Sequence, residues 1–474
     1  MQKKKLFLEN FLIYGLSGII SKIIPLLMIP IITRLMPDTS FFGVSDMSTT
    51  VVSFGSALAI MGMYDAMYRM FFDKDDEEYK KDICSTALVF TISMSIVIFF
   101  IMVMMQNFIA EKFFGNMQYT YLVYITAIAT LVGATNAIVS APTRMQNKRK
   151  VFLLMNTLSP IISYSISIPL LIHGRYLIAL PLAGMFAGIS SEIIFLLLNK
   201  QWFKLKRFNW TYLKQLLLIG VPLLPNFLIY WVFNSSDKLM ITNLINTSAT
   251  GVYSVGSKLG HVSQLIYTAF AGGWQYFAFS TMKEENQVNS NSRIFEYLGI
   301  ISFTCTMFVF VFCSPVYKIL FTGDYVKGYI VSPYLFLAPL LQMLFQVACN
   351  QFLVIKKTWP NMFILSSGAI VNVILNYILI PKIGIEGAAI ATLIGYTISD
   401  IVVVVVLIRM KLMNISGRFL ICTIIIGIFI VFWRLFLKEY ILISFLISLI
   451  CITIFMMLYK DDFKILFKVE GKKK

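Results

Sequence analysis

Long apolar segments recur along almost the whole chain and are separated by short polar connections. Each segment is about 20 residues long, which is the length that a helix needs to cross the hydrocarbon core of a membrane. Because the segments are continuously apolar and do not alternate with polar positions, they predict helices and not the strands of an outer-membrane barrel. Fourteen spans are expected, near residues 10–33, 44–68, 83–108, 118–141, 151–172, 176–199, 214–235, 251–275, 295–315, 331–355, 361–380, 384–408, 417–437 and 440–459. The predicted fold class is therefore an all-α polytopic membrane protein.

The composition supports this interpretation. Of the 474 residues, 58% are apolar and 13% are charged, whereas a soluble globular protein has roughly 25% charged residues. The net charge of +17 would suit a nucleic-acid partner only if it were gathered on a solvated basic domain, and the pattern contains none. We therefore expect no nucleic acid among the partners.

The basic residues are distributed unevenly between the two sides of the predicted bundle. With a cytoplasmic N-terminus, 29 of the 40 Lys and Arg fall on the cytoplasmic side, nine fall on the opposite side and two lie within helices. A missed or invented helix would blur this asymmetry, so the positive-inside rule favours fourteen spans with both termini in the cytoplasm. The Lys-rich C-terminal tail is expected to attract anionic lipids of the inner leaflet.

An offset of 208 residues relates the two halves of the chain. The pattern T-S-x-x-G-V occurs at Thr39–Val44 and at Thr247–Val252, and Ser191–Ile193 matches Ser399–Ile401 at the same offset. Together these matches indicate a duplicated unit of six helices. Because six crossings return the chain to the same side, the two copies are parallel and related by an axis along the membrane normal.

The repeat divides the chain into three parts. We expect an N-terminal six-helix lobe at residues 1–205, a C-terminal six-helix lobe at residues 206–411, and helices 13 and 14 with a basic cytoplasmic tail at residues 412–474. Two such lobes around a central cavity are typical of transporters that work by alternating access. The alternative is an ancient duplication without mechanistic consequence.

Several segments carry a family resemblance. The stretch Ala369–Asp400, with its Asn-bearing helix, its short Pro/Lys/Gly turn and the helix start Gly387–Thr392, resembles the polysaccharide-export branch of the multidrug/oligosaccharidyl-lipid/polysaccharide exporter superfamily. Ser236–Leu239 together with Gly251–Ser254 resembles the connection between the seventh and eighth helices of that family. Gly62–Arg69 resembles the inner end of its second helix.

This resemblance implies a flippase that moves an undecaprenyl-diphosphate-linked oligosaccharide repeat unit from the cytoplasmic to the outer leaflet for polysaccharide biosynthesis. It implies a bacterial plasma (inner) membrane location among membrane lipids, and a polysaccharide polymerase and glycosyltransferases as candidate partners. The fourteen helices are also similar to those of lipid II flippases. Those proteins carry several arginines in the first two helices and the central cavity, whereas the first span here carries Lys22 alone.

Two lysines inside predicted spans are candidate ligands of the substrate diphosphate. Lys22 lies near the middle of the first span and Lys258 on the outer side of the centre of the eighth, so each lobe supplies one. A charge in the membrane interior costs roughly 2.5–3.5 kcal/mol and usually faces a polar cavity, where ammonium groups can hold a diphosphate. The alternative is that each lysine pairs with an acid such as Asp46 or extends its stem along a protein wall. Tyr253, and His261 one turn after Lys258, are further candidates for substrate binding in the cavity.

Four acidic residues are candidates for ion coupling or gating. Asp46 lies just inside the outer end of the second span and Asp65 near its inner end, where a helix cap or a salt bridge is the alternative role. Glu192 and Asp400 are repeat mates at similar depth, which suggests a shared contact at an inner gate, with ion coupling as the alternative.

One further charged pair stands at the end of a span. Asp237 and Lys238 are adjacent at a boundary of the seventh span. We expect them to form an interfacial ion pair with each other.

No motif in the sequence indicates a cofactor. Nucleotide-binding motifs are absent and two His do not suggest a zinc site, so no metal, no cofactor and no catalytic residue are expected. Two other functions stay open: a multidrug or metabolite exporter of the same superfamily, and a membrane polysaccharide polymerase or glycosyltransferase. The extra helix pair counts against the first, and the short external connections count against the second.

Overall fold

The computed structural model describes residues 22–268, 270, 274, 278, 284–357 and 359–462. Within these residues the chain consists of helices and short connections and contains no strand. The prediction of an all-helical fold is therefore confirmed. The apolar segments explain this outcome, because a backbone in hydrocarbon must satisfy its hydrogen bonds internally and a helix does so within one segment.

The helices follow one another with short connections. In the first half of the chain they are α1 (22–35), α2 (Thr39–Ile60), α3 (Met63–Phe71), α4 (Glu77–Met104), α5 (Gln106–Phe114), α6 (Thr120–Met145), α7 (Arg149–Ile172) and α8 (Tyr176–Asn199). In the second half they are α9 (Trp210–Gly220), α10 (Leu224–Leu244), α11 (Thr247–Gly260), α12 (described over 264–268), α13 (Gln287–Leu320), α14 (Ser332–Val354), α15 (Trp359–Ile383), α16 (Ile385–Arg409), α17 (Gly417–Phe432) and α18 (Ile441–Leu458).

The number of membrane spans can be compared with the predicted fourteen. In the described part of the chain, eleven helical segments are long and apolar enough to cross a membrane, and α2 with α3 forms a twelfth if their 48° bend lies within one span. These twelve correspond to twelve of the predicted spans. The other two predicted spans, 10–33 and 251–275, extend into residues outside the described part, as do the basic tails at both termini. The count of fourteen therefore stays a prediction.

The bend between α2 and α3 has a local cause. Met61 and Gly62 adopt positive φ angles of 47° and 73°, a left-handed conformation that ends helices and favours glycine. A Cβ atom at Gly62 would also collide with the backbone carbonyl of Gly220 at the end of α9. The bend thus depends on glycine, and it lets α3 pack against α9.

The helix order repeats along the chain. The starts of α2, α4, α6, α7 and α8 lie 208 to 212 residues before the starts of α11, α13, α14, α15 and α16, respectively. The offset that relates the sequence motifs is therefore also the offset between corresponding helices. In this order α17 and α18 follow the second repeat as an additional pair.

The described residues form two compact units. The first comprises residues 22–258, Phe321–Gly328 and Ala369–Thr392, and the second comprises Leu259–Leu320, Tyr329–Gly368 and residues 393–462. The predicted lobe boundaries at residues 205 and 411 follow the sequence repeat, and they stay a prediction.

Within the first unit, α2 is anchored on α6 by short polar side chains. The hydroxyl oxygens of Ser48 and Thr126 lie 2.8 Å apart, and the Ser56 hydroxyl donates to the backbone carbonyl of Thr130 at 2.9 Å. Met47, with no exposed surface, joins a buried apolar cluster drawn from the surrounding helices. These contacts fix the helix face next to Asp46.

Candidate functional site

A buried carboxylate near the N-terminal end of α2 binds two lysines. The Asp46 side chain is 4% exposed. Lys238 Nζ of α10 lies 2.7 Å from Asp46 Oδ2, and Lys258 Nζ of α11 lies 2.7 Å from Asp46 Oδ1. The Ser254 hydroxyl of α11 donates to Asp46 Oδ2 at 2.8 Å. We call Asp46, Lys238, Lys258 and Ser254 the Asp46 group.

The Asp46 group has more positive than negative charge, because one carboxylate is shared by two ammonium groups. The Lys238 side chain is 16% exposed and the Lys258 side chain is 38% exposed. Lys258 Nζ also lies 5.8 Å from the centre of the Phe42 ring, close enough for a cation–π interaction. The lysines neutralise a carboxylate that would be costly to bury alone. Of the two lysines, Lys258 is the more exposed.

The connection that precedes α2 is tied to the start of α11. The Asp38 carboxylate caps α2 by accepting the Ser40 backbone N–H at 2.7 Å, and it accepts the Ser248 hydroxyl at 3.3 Å. The Ser40 backbone hydrogen bond holds the pKa of Asp38 below its usual range, because it stabilises the charged carboxylate. The two helix starts are thus joined by polar contacts ahead of the Asp46 group.

The starts of α2 and α11 also meet backbone to backbone. A Cβ atom at Gly43 would collide with the carbonyl oxygen of Thr247 and lie 2.9 Å from the Gly251 nitrogen. A Cβ atom at Gly251 would collide with the carbonyl oxygen of Thr39 and lie 3.1 Å from the Gly43 nitrogen. Both contacts join residues of the two T-S-x-x-G-V patterns, so the glycines of the repeat allow the two helices to approach this closely.

A second polar cluster in the first unit surrounds Asp237, which is 3% exposed. Asp237 Oδ2 accepts hydrogen bonds from the Tyr253 hydroxyl and from the Thr392 hydroxyl, the latter at 2.9 Å. Asn372 Nδ2 donates to Thr392 Oγ1 at 3.0 Å, and Asn376 Nδ2 donates to Asn372 Oδ1 at 3.3 Å. We call these five residues the Asp237 network.

The two clusters offer different ligand chemistry. The Asp46 group provides ammonium donors, which suit phosphate oxygens. The Asp237 network provides carboxylate, amide and hydroxyl oxygens, which are the ligand types of hard cations. The Tyr253 and Thr392 hydroxyls donate to the Asp237 carboxylate, whereas Asn376 Oδ1 is buried without a hydrogen-bond partner among the described residues. The described residues contain no cluster of three or more His, Cys, Asp or Glu that could hold a metal ion.

The predicted substrate-binding residues fall in different places. Lys258 pairs with Asp46, which is the alternative that the sequence left open for it. Tyr253 is 1% exposed and donates its hydroxyl to Asp237, so in this structure its ring does not face an open cavity. Lys22 is exposed at the first described residue of α1, and His261 is half-buried in a 3₁₀ turn after α11 ends. Substrate roles for Lys22 and His261 stay predictions.

The predicted acidic residues are also spread over the fold. Asp65 is exposed in the first turn of α3, and Glu192 is half-buried beside the Thr135 hydroxyl. Asp400 is 8% exposed in the second unit, and among the residues that the structure describes neither of its carboxylate oxygens has a hydrogen-bond partner. Their coupling or gating roles stay predictions. Among the residues that the structure describes, Asp46 is the one of these four acids that pairs with lysines.

The expectation for the adjacent pair Asp237 and Lys238 is wrong. Lys238 points to Asp46 and Asp237 points to Tyr253 and Thr392. The physical reason is that successive residues of a helix face directions about 100° apart, so neighbours in sequence usually contact different helices. Both side chains are largely buried within the protein.

Four residues of these clusters were missed by sequence reasoning: Ser254, Asn372, Asn376 and Thr392. Each of them lies inside a segment that carries the family resemblance. Those segments were read as structural motifs, yet the structure joins them through Asp237 and Asp46. The signal available in the sequence was the recurrence of polar residues inside otherwise apolar helices, because such residues need partners; it did not show which residues those partners are.

A protein family matches more than half of the chain. The family model described as "Polysaccharide biosynthesis protein" matches residues 31–328. This range contains all of the Asp46 group, together with Asp237 and Tyr253. No curated protein matches the chain.

Solved structures share the fold. The chain is similar to the lipid II flippase MurJ in an inward closed conformation, with a TM-score of 0.65 and 18% identity over 96% of this chain and 99% of that one. It is also similar to a multidrug resistance MATE family transporter of the MOP superfamily in an inward-facing conformation, with a TM-score of 0.64 and 13% identity over 83% and 98% of the two chains. An outward-facing MATE structure gives a TM-score of 0.59. The predicted resemblance to the exporter superfamily is confirmed.

Proposed function

Because the chain belongs to the polysaccharide biosynthesis protein family, we propose that it is a flippase for a lipid-linked oligosaccharide. The substrate is an undecaprenyl-diphosphate-linked repeat unit, which the protein moves from the cytoplasmic to the outer leaflet of a bacterial plasma membrane. Glycosyltransferases build this unit and a polysaccharide polymerase consumes it, so these enzymes act before and after the flippase. The protein itself transports and does not catalyse a covalent step.

The observation that carries the proposal is the pair of lysines on Asp46. A diphosphate has several negatively charged oxygens, and it needs cationic donors wherever it leaves water. Lys238 and Lys258 supply two ammonium groups in a membrane-embedded unit, and their charge exceeds that of the carboxylate between them. A charge placed within a membrane helix is expensive and usually functional. The head of the substrate is thus proposed to bind at Lys258, which is the more exposed lysine.

The proposed topology places these lysines on the path of the substrate. With both termini in the cytoplasm, the start of α2 lies toward the outer leaflet, and the Asp46 group lies near that end. The six-helix lobes at 1–205 and 206–411 alternate in access to the two leaflets, and the helices of 412–474 accompany the second lobe. In this mechanism, the two repeated six-helix units are the parts that move relative to each other during transport.

The proposal is tested with purified full-length protein in liposomes that contain a fluorescent undecaprenyl-diphosphate oligosaccharide. Chemical quenching from outside the liposome measures the fraction of substrate in each leaflet. We expect Lys258→Ala to reduce the rate of exchange between leaflets at least tenfold and Lys258→Arg to keep most of it. Lys327→Ala is the matched control, because Lys327 is exposed and pairs with Asp324 in a connection between helices.

Two outcomes would contradict the proposal. One is exchange by Lys258→Ala at the wild-type rate in correctly inserted protein. The other is an unchanged leaflet distribution of the oligosaccharide in cells from which the gene is deleted and which have no redundant exporter.

The similarity to MATE structures favours one alternative, export of cationic drugs. The same liposomes loaded with a fluorescent cationic dye distinguish it. Dye transport without exchange of the lipid-linked oligosaccharide would support the drug exporter, and we expect the opposite result. Excess positive charge in the Asp46 group suits an anionic head better than a cation.

A further inference from the structure

The Asp46 group lies beside the close contact between α2 and α11. Gly43 and Gly251 form that contact, and they are repeat mates at the 208-residue offset. Three residues after each glycine come Asp46 and Ser254, which are also repeat mates and are hydrogen-bonded to each other at 2.8 Å. The hydrogen bond between Ser254 and Asp46 therefore joins the two repeats about one helical turn beyond their backbone contact.

Two lysines add ion pairs to this hydrogen bond, and both come from the helices that face α2. Lys258 is four residues after Ser254 on α11, and its ammonium group pairs with Asp46 on α2. Lys238 reaches the same carboxylate from α10. Each carboxylate oxygen thus contacts one ammonium group. Asp46 is the only acid of the group, so the cohesion between α2 and its two neighbours at this point depends on one negative charge.

Resting on the proposed function, we propose that Asp46 is an internal competitor of the anionic substrate head and that this competition controls the α2–α11 contact. Without an anion, Asp46 occupies both lysines and holds the two helix starts together. When a diphosphate binds the lysines, Asp46 loses its ionic partners and the contact loosens. The event that opens the site is then the binding of the substrate itself.

The electrostatics favour such an exchange. A diphosphate carries more charge than a carboxylate and has more acceptor oxygens, and each ammonium group has three donors to distribute. A ligand shifts a conformational equilibrium only by the difference in its affinity for the two states. Asp46 supplies that difference, because it competes for the lysines in the closed state and not in the loosened one.

The first measurement is the affinity of purified full-length protein for inorganic pyrophosphate, used as the probe for the substrate head. We expect Asp46→Asn to bind pyrophosphate at least tenfold more tightly than wild type, since the asparagine keeps the shape and removes the competing charge. Ser254→Ala keeps the charge and removes one hydrogen bond, so we expect a gain of about two- to threefold. It serves as the second variant if Asp46→Asn does not fold.

The second measurement follows the helix contact. Cysteines at Ser40 and Ser248 flank it, and both serines contact the Asp38 carboxylate. A short thiol crosslinker should join Ser40→Cys to Ser248→Cys in the resting protein, and pyrophosphate should lower the yield. In the Asp46→Asn background the yield should be low even without pyrophosphate. Each single cysteine variant provides the control for reaction with native thiols.

The outcomes separate this inference from the proposed function. If Lys258→Ala weakens pyrophosphate binding but folded Asp46→Asn and Ser254→Ala leave it unchanged, competition by Asp46 is refuted and the anion site stands. The same holds if pyrophosphate binds without changing the crosslinking yield. If no variant and no wild-type protein binds pyrophosphate, the anion site fails and the competition fails with it.

Discussion

Two buried carboxylates of nearly equal exposure are held in opposite ways. Asp46 is 5% exposed and Glu296 is 4% exposed. Asp46 contacts two ammonium groups and one hydroxyl. Glu296, on α13, accepts the Ser416 backbone N–H at 2.7 Å, the Ser416 hydroxyl at 2.8 Å and the Tyr459 hydroxyl at 2.7 Å. The first carboxylate is held mainly by charge and the second by neutral donors.

The surroundings of Glu296 show what this second arrangement does. Ser416 caps α17 and Tyr459 follows α18, so Glu296 fastens the additional helix pair to α13. Arg418 lies 4.2 Å from the centre of the Tyr459 ring and pairs with Asp462. Arg418 and Asp462 thus pair with each other, and Glu296 is held by neutral donors.

This difference in donors distinguishes a structural site, at Glu296, from a site at which the bound anion can be exchanged, at Asp46. Neutral donors that belong to a helix cap and a packed ring cannot turn to another anion without breaking the local fold. Lysine ammonium groups lie on flexible side chains and can turn to another anion, and the Lys258 side chain is partly exposed. The comparison therefore assigns ligand exchange to Asp46 and helix attachment to Glu296, and three variants test it.

The largest expected effect is a loss of stability in Glu296→Ala. This substitution removes the acceptor of the buried Tyr459 hydroxyl and of the N–H and hydroxyl of the half-buried Ser416, and an unsatisfied buried group costs about 1–3 kcal/mol. We expect the free energy of unfolding to fall by about 3–5 kcal/mol, measured by thermal unfolding in detergent. Glu296→Gln keeps an acceptor oxygen and should lose less than half as much.

The contrast with Asp46 concerns binding. Pyrophosphate affinity per folded Glu296→Ala molecule should equal that of wild type, whereas Asp46→Asn should change affinity more than stability. If Glu296→Ala altered affinity as strongly as Asp46→Asn, the distinction between the two carboxylates would be lost.

A smaller effect is expected at the glycine contact. Gly43→Ala places a Cβ against the Thr247 carbonyl, and overpacking of this kind costs about 1–3 kcal/mol. We expect a matching decrease in stability and a lower crosslinking yield between cysteines at positions 40 and 248. Gly184→Ala is the matched control, since no atom lies within 4 Å of its added Cβ.

Gly43→Ala also distinguishes the effect of the α2–α11 contact from the effect of the ion pairs at Asp46. With the ion pairs intact but the helices pushed apart, pyrophosphate should bind about two- to fivefold more tightly, because the closed state is weakened. Wild-type affinity combined with a lowered crosslinking yield in Gly43→Ala would mean that the contact does not limit access to the lysines.

The sequence predicted the scaffold of this site more fully than its contacts. Twelve of the fourteen predicted spans correspond to helical segments in the described part of the chain, if α2 and α3 are counted as one span. The T-S-x-x-G-V patterns predicted the repeat that brings Gly43 and Gly251 together. These features are encoded locally, by length and by motif. Pairing between Lys258 and Asp46 was one of two alternatives, since a lysine in a membrane helix needs either a polar cavity or an acid.

The partners of Asp237 could not be predicted from the pattern of hydrophobic and polar positions. Thr392 lies 155 residues away in sequence and Asn372 contacts it from another helix. Hydrophobic segments predict how deep a residue lies along a helix, but in spans that are apolar all round they say little about the direction in which it points. That direction decided that Lys238 joins Asp46 and not its neighbour Asp237.

The smallest expected effect is in an exchange of repeat mates, Asp46→Ser combined with Ser254→Asp. The double variant moves the carboxylate from α2 to α11, four residues before Lys258, a spacing at which an acid and a lysine on one helix can pair. If the contact needs only one carboxylate between the two helices, its crosslinking yield and pyrophosphate affinity should stay within about threefold of wild type. Asp46→Ser alone should resemble Asp46→Asn. A double variant that behaves like Asp46→Ser would show that the charge must come from α2, because only there does it bridge the two helices to both lysines.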